Sequence, residues 1–281
     1  MTQTLDDWDS RGVRSCLGRL HVRVCGRGPA SMVFWPSLIM DGAMWLELAS
    51  RFTDRYRVVL VDSPGHGQSD PLDRMFTFDE CARCVVEILD AVSAPRTHFV
   101  GSAWGGMIGG TFAARYPERL AAAVLMNATA RPARFRQRLD YAAMTRLLRL
   151  LDGIRGPLVG RAVHAFLGPT TRRERPGVET MVRSALERID TDSAYFAIRS
   201  VVPARPDQQA LFGSIRAPVL VIGGEEDRTF PPEESRRLAA AIPGAELQII
   251  PGTAHLAGLE RPDEVGQIID DFFRRRAQTT S

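Results

Sequence analysis

Six short, β-branched runs that alternate with stretches of helical spacing constrain the fold of this 281-residue chain more than any other feature. The runs are SMVFW (31–35), YRVVLVD (56–62), THFVG (97–101), AAAVLMN (121–127), PVLVIGG (218–224) and ELQIIPG (246–252). Between most of them lie segments such as MWLELASRF, GMIGGTFAARY and ESRRLAAAI, whose apolar residues recur at helical intervals. Strands this continuously apolar are buried on both faces, which calls for an α/β fold: a mostly parallel sheet with helices on both faces. The opening VRSCLGRLHVRVCGRG reads instead as a two-stranded hairpin at the sheet edge.

The strand signal vanishes for about 80 residues between MNATARPARF and LFGSIRAPVLV. What remains there is helical, with Gly and Pro punctuation. The organisation expected is a core formed by residues 1–130 and 213–281, with a helical lid, 131–212, inserted over the carboxyl ends of the strands. Open α/β sheets place their sites at those ends.

Charge separates the two parts. All 36 basic residues are Arg, which excludes a Schiff-base lysine and a Walker-type phosphate loop. The net charge of +3 is too modest to suggest a nucleic-acid partner. From Arg131 to Arg205, however, 15 Arg face seven Asp or Glu, a local +8 that leaves about −5 elsewhere. The acidic, polar start lacks the pattern of a secretory signal, and no apolar run reaches the ~18 residues of a membrane span. A cytoplasmic protein is expected, and an oligomer is compatible with the sequence.

Several residues with chemical potential read as structural. Cys81 and Cys84, in CARC, fall on the apolar face of a helical segment. His66 belongs to a turn, His98 opens a strand, His164 sits in the lid and His21 in the first hairpin. No histidine pair has the spacing of metal ligands, so neither metal nor cofactor is expected.

Four motifs carry chemistry. DSPGHGQSD (62–70), GSAWG (101–105), GGEEDRTFP (223–231) and GTAHLAGLERPDEV (252–265) follow strands in that order. Together they resemble the α/β-hydrolase superfamily over nearly the full length: D-x-P-G-x-G-x-S, then G-x-S-x-G, then the acid loop, then the histidine loop. The segment GGMIGGTFAARYPERLAAAVLMNATARP is also similar to 3-oxoadipate enol-lactonases and related esterases. The departure from the pattern is Ala103, which stands where the family has its nucleophile.

The local physics agrees with that placement. A strand that turns sharply into a helix needs small neighbours, and Gly101 and Gly105 flank Ala103. By resemblance, His255 is the base and Asp227 fixes its tautomer and stabilises the imidazolium, with Glu225 and Glu226 as alternative acids. The oxyanion hole is expected from the backbone N–H groups of Leu38 and Trp104, converging above Ala103; where relatives have His-Gly, this chain has Pro36-Ser37, and Pro36 has no N–H to give.

The function this implies is hydrolysis of a carboxylic ester or lactone by a serine-type triad, in a form inactivated by Ala at position 103. Most of the lid's apolar set, Phe135, Met144, Leu147, Leu148, Phe166, Tyr195 and Phe196, reads as lid core and most of its Arg excess as a solvated face, yet together they suit a bulky, apolar small molecule with an acid group. Alternatives are a non-hydrolytic ligand-binding or lyase-like member of the fold, Ser102 as nucleophile, or a lost Asp nucleophile. The last would imply haloalkane or epoxide hydrolysis, for which Trp104 and the lid tyrosines Tyr141 and Tyr195 are the candidates.

Overall fold

The structure is a computed structural model and describes residues 4–279. Eight strands form one sheet: β1 (Asp9–Ser15), β2 (Gly18–Cys25), β3 (Ala30–Trp35), β4 (Tyr56–Val61), β5 (Thr97–Ser102), β6 (Leu120–Met126), β7 (Val219–Gly224) and β8 (Glu246–Ile250). Their order is β1-β2-β4-β3-β5-β6-β7-β8. The hairpin strands β1 and β2 pair antiparallel at one edge, and every pair from β3 and β4 onward is parallel. The expected α/β architecture with a mostly parallel sheet is therefore present.

The helices are α1 (Leu46–Ala49), α2 (Phe78–Ala91), α3 (Trp104–Arg115), α4 (Phe135–Leu150), α5 (Pro157–Phe166), α6 (Pro169–Glu174), α7 (Pro176–Arg188), α8 (Thr191–Val201), α9 (Gln209–Phe212), α10 (Pro232–Ala241), α11 (Ala257–Glu260) and α12 (Pro262–Thr279). Alternation along each strand feeds two cores. Val33 and Trp35 of β3 pack with α2 and α3 on one face, while Met32 and Phe34 pack with α1 and α12 on the other. Helix α2 starts at a capping box: Glu80 N donates to Thr77 Oγ1 (3.2 Å) and Thr77 N to Glu80 Oε2 (2.7 Å). Its Cys81 and Cys84 are buried, as the helical spacing implies.

Helices α4 to α8 all lie between β6 and β7, with no strand among them. Short α9 belongs to the core layer rather than to this insertion, since Gln208 N donates to Ala130 O (2.8 Å) and Phe212 is fully buried beside α3. Hydrogen bonds fasten the insertion down: Leu72 N to Ser193 Oγ (3.0 Å), Phe76 N to Ser200 Oγ (3.0 Å) and Thr229 Oγ1 to Ala165 O (2.9 Å). Among the described residues no helix is long and apolar enough to cross a membrane.

His98 packs against Phe273 (centroids 4.3 Å apart) and Tyr56 (5.5 Å), and burial holds its pKa down at about 4. In the unfolded chain the imidazole takes its proton near 6.5. Between these values the unfolded state binds more protons, so stability is complete above about 6.5 and declines as pH falls towards 4, by ~3 kcal/mol at most from this residue. His98→Phe should flatten that slope in urea titrations at pH 7 and 4.5. An unchanged slope would show that the imidazole does not titrate on unfolding.

Candidate active site

The carboxyl ends of β3, β5, β7 and β8 bring the expected residues to one end of the sheet. Ala103 joins β5 to α3 at φ 51° and ψ −108°, a left-handed backbone that a residue with a Cβ seldom adopts. Two glycines make the turn feasible. A Cβ on Gly101 would stand 2.3 Å from Gly105 O, and one on Gly105 would stand 2.3 Å from Trp35 O. The first turn of α3 thus lies directly against the end of β3.

That contact sets the loop carrying Leu38 beside the N-terminus of α3. Leu38 N and Trp104 N have no hydrogen-bond partner among the described residues, whereas Ile39 N donates to His66 Nε2 (3.1 Å). His66 is held in turn by donating from Nδ1 to Pro64 O (2.8 Å), and burial lowers its pKa, which keeps the ring neutral and able to accept. The turn histidine is thus a brace for the Leu38 loop.

Asp227, after β7, and His255, after β8, meet at 2.9 Å between Oδ2 and Nδ1, both buried. The Nδ1–H donates to the carboxylate, so the Nε2 lone pair faces away from Asp227 with no partner among the described residues. Asp227 is otherwise saturated: Thr229 N (2.8 Å) and Phe230 N (2.9 Å) donate to Oδ1, and Asn127 Nδ2 (3.0 Å) donates to Oδ2. The rings of Phe166 and Phe230 flank the imidazole at 5.8 and 5.5 Å.

The alternative acids are engaged elsewhere. Glu226 accepts from Thr170 Oγ1 (2.6 Å) and Thr170 N (3.1 Å) in the lid, and Glu225 accepts from Gly252 N (3.2 Å). Ser102 is fully buried at the end of β5, with its hydroxyl unpartnered and no bond to His255. The Trp104 indole packs among Trp35, His66 and Phe76, and its Nε1 is buried without a hydrogen-bond partner among the described residues.

Beneath the lid is a cavity of about 100 Å³ that reaches the site through Leu38, Ile39 and Phe166. Tyr141, Met144 and Leu148 line it, and Arg161 supplies the one charge. Of the other lid residues singled out from sequence, Tyr195 stacks under Arg149 (3.5 Å) and accepts from Arg199 Nη1 (3.1 Å). Phe135 is 73% exposed and Leu147 37%, so neither reaches the cavity.

Two supporting residues were given no role by the motifs, although Glu260 lies within the segment 252–265. Asn127 follows β6 at φ 49° and bridges Asp227 to Ala254 O (2.8 Å), a position detectable in sequence only as a polar residue at a strand's carboxyl end. Glu260 is fully buried and accepts from Ala254 N (3.0 Å) and Leu256 N (2.8 Å), the residues flanking His255, and from Thr171 of the lid. Burial raises its pKa, offset in part by those bonds. Its signal in the sequence is a lone acid five positions after the histidine.

A second histidine–aspartate contact lies at the hairpin edge, where His21 bridges Ser10 Oγ (2.7 Å) and Asp62 Oδ2 (2.8 Å). Burial pushes the Asp62 carboxyl up, but bonds from His21, Gln68 N and Gly42 N outweigh it and leave it below its ordinary value. These bonds tie β2 to the 62–70 loop. Away from the site, ligand atoms of Cys16, Cys84 and Glu87 lie within 4.8 Å of one another, a grouping that the sequence spacing does not reveal.

Residues 30–262 match the family model for the alpha/beta hydrolase fold. The chain is 30% identical over 266 residues to the 2-hydroxy-6-oxononadienedioate/2-hydroxy-6-oxononatrienedioate hydrolase of Paraburkholderia phymatum, covering 91% of each chain. The enol-lactonase of Burkholderia xenovorans superposes with a TM-score of 0.85 at 25% identity, over 94% of this chain and all of that one. A thermophilic esterase from Thermogutta terrifontis shares the fold, with a TM-score of 0.87 at 23% identity over 95% and 99% of the two chains.

Proposed function

Because the chain belongs to the alpha/beta hydrolase fold family, a family of hydrolases among its relatives here, we propose that it holds the carbonyl of a bulky, apolar carboxylic ester or lactone above Ala103, with serine-type machinery that lacks its serine. The observation that carries this reading is the elbow at φ 51° with an intact Asp227–His255 pair beside it. In it, the N–H groups of Leu38 and Trp104 polarise the carbonyl oxygen, and Asp227 keeps the His255 proton on Nδ1 so that Nε2 can take one from an attacking hydroxyl. Ala103 offers no hydroxyl. Substrate therefore binds, but no acyl-enzyme forms.

The Paraburkholderia relative, a 2-hydroxy-6-oxononadienedioate/2-hydroxy-6-oxononatrienedioate hydrolase, favours a second substrate class, a 2-hydroxy-6-oxo dienoic acid, whose keto group would occupy the same place. A ligand-binding role without hydrolysis uses the same cavity.

Calorimetric titration of the unmodified chain with ester, lactone and 2-hydroxy-6-oxo dienoate ligands tests the binding part. Saturable binding without turnover is expected, weakened by Ala162→Phe, which places a large ring in the cavity wall. Binding by none of the three classes, or binding indifferent to Ala162→Phe, would overturn the assignment of the cavity. Haloalkane or epoxide turnover by Ala103→Asp, with none by Ala103→Ser, would move the reading to those hydrolases.

A further inference from the structure

The lid's Arg excess is not spread evenly over its surface. Where the start of the lid meets the loop after β7, six arginines line a cavity of about 550 Å³ that holds three acids, Asp140, Glu233 and Glu234. Arg131 and Arg237 bind Glu234 at 3.2 and 2.8 Å. The other four, Arg134, Arg136, Arg205 and Arg228, have no carboxylate within ion-pair distance among the described residues.

Arg205 differs from the rest because it is only 5% exposed. Its Nε donates to Arg131 O (2.8 Å), its guanidinium carbon lies 5.6 Å from the Phe230 ring centroid, and its terminal nitrogens have no hydrogen-bond partner among the described residues. A buried cation with no carboxylate in contact is costly; burial lowers the pKa to about 10, offset only in part by the charge of nearby Glu234, without discharging the group at neutral pH. A guanidinium fork suits the paired oxygens of a carboxylate or phosphate, and such a group would supply the missing charge.

We propose that this cavity is an anion subsite, with Arg205 as its buried anchor and Arg134, Arg136 and Arg228 at its rim, which takes the carboxylate or phosphate group of the molecule held under the lid. The subsite lies close to the catalytic pair. Phe230 touches both sides, its ring centroid 5.5 Å from that of His255, so Arg205 is no further from the imidazole than those two contacts laid end to end. Tyr141 links the two cavities, since it lines the apolar one and lies within the field of both Arg161 and Arg205. That the anion belongs to the substrate rests on the function proposed above, whereas anion binding itself does not.

The test is calorimetric titration of the unmodified protein with inorganic phosphate and with glutarate at low salt. Saturable binding of at least one is expected, weakened about tenfold or more by Arg205→Gln and severalfold by the double variant Arg134→Gln/Arg136→Gln. The two rim side chains are exposed and hold no other bond, so that variant serves even if Arg205→Gln folds poorly. His255→Ala should leave anion binding unchanged. Binding of neither probe, or binding indifferent to both arginine variants, overturns the subsite. Anion binding that persists while Ala103→Ser stays inert would instead count against the hydrolase reading alone.

Discussion

Ala103→Ser is expected to raise turnover of an ester or lactone substrate by up to ~10⁶-fold over the parent chain, the factor by which removal of a triad nucleophile lowers kcat. The expectation rests on what is already in place. The backbone at 103 has the left-handed geometry that lifts a side chain off the strand end, and His255 keeps an unpaired Nε2. The gain should vanish when His255→Ala is added. Asp227→Asn in the same background should cost ~10⁴-fold, because an amide there favours the wrong imidazole tautomer. Steady-state rates on a panel of esters and lactones check all three. No gain on any of them would favour the binding-protein class.

The second large effect is on stability. Gly105→Ala should destabilise the fold by about 3 kcal/mol or more, because its Cβ would meet Trp35 O at 2.3 Å and Pro36 O at 2.9 Å. Both are backbone atoms and cannot rotate away, so relief requires α3 to separate from the end of β3. The same movement would shift Leu38 relative to Trp104, and in the Ala103→Ser background it should lower kcat beyond any loss of folded protein. Urea unfolding measures the first effect. A midpoint close to the parent's would show that the elbow has slack that the close approach denies.

The sheet was legible because its strands are buried on both faces, so each appears as an unbroken apolar run such as VVLV or VLVIGG. The four loops were legible because each needs a backbone that few sequences allow. What the sequence hides is set by contacts between distant segments. Asn127 reaches Asp227 across 100 residues, and Glu260 braces the chain on both sides of His255 while binding the lid. Glu225 and Glu226 were alternatives to Asp227 by nearness in the chain, although spacing favours Asp227, and their bonds to Gly252 and Thr170 explain why neither meets the imidazole. Phe135 read as part of the lid's apolar set, yet α4 turns it to solvent. The Arg excess read as a solvated face; Arg205 alone is drawn inside, and no local pattern distinguishes it from its neighbours.

The central claim is that position 103 is the seat of the nucleophile and that His255 serves it. Intact and peptide mass spectrometry of Ala103→Ser after exposure to a fluorophosphonate tests this directly, since such reagents bond only to an activated hydroxyl. The account predicts one adduct, on the peptide containing residue 103, absent from the parent and from Ala103→Ser/His255→Ala. No adduct, or one on a different serine such as Ser102, would contradict it.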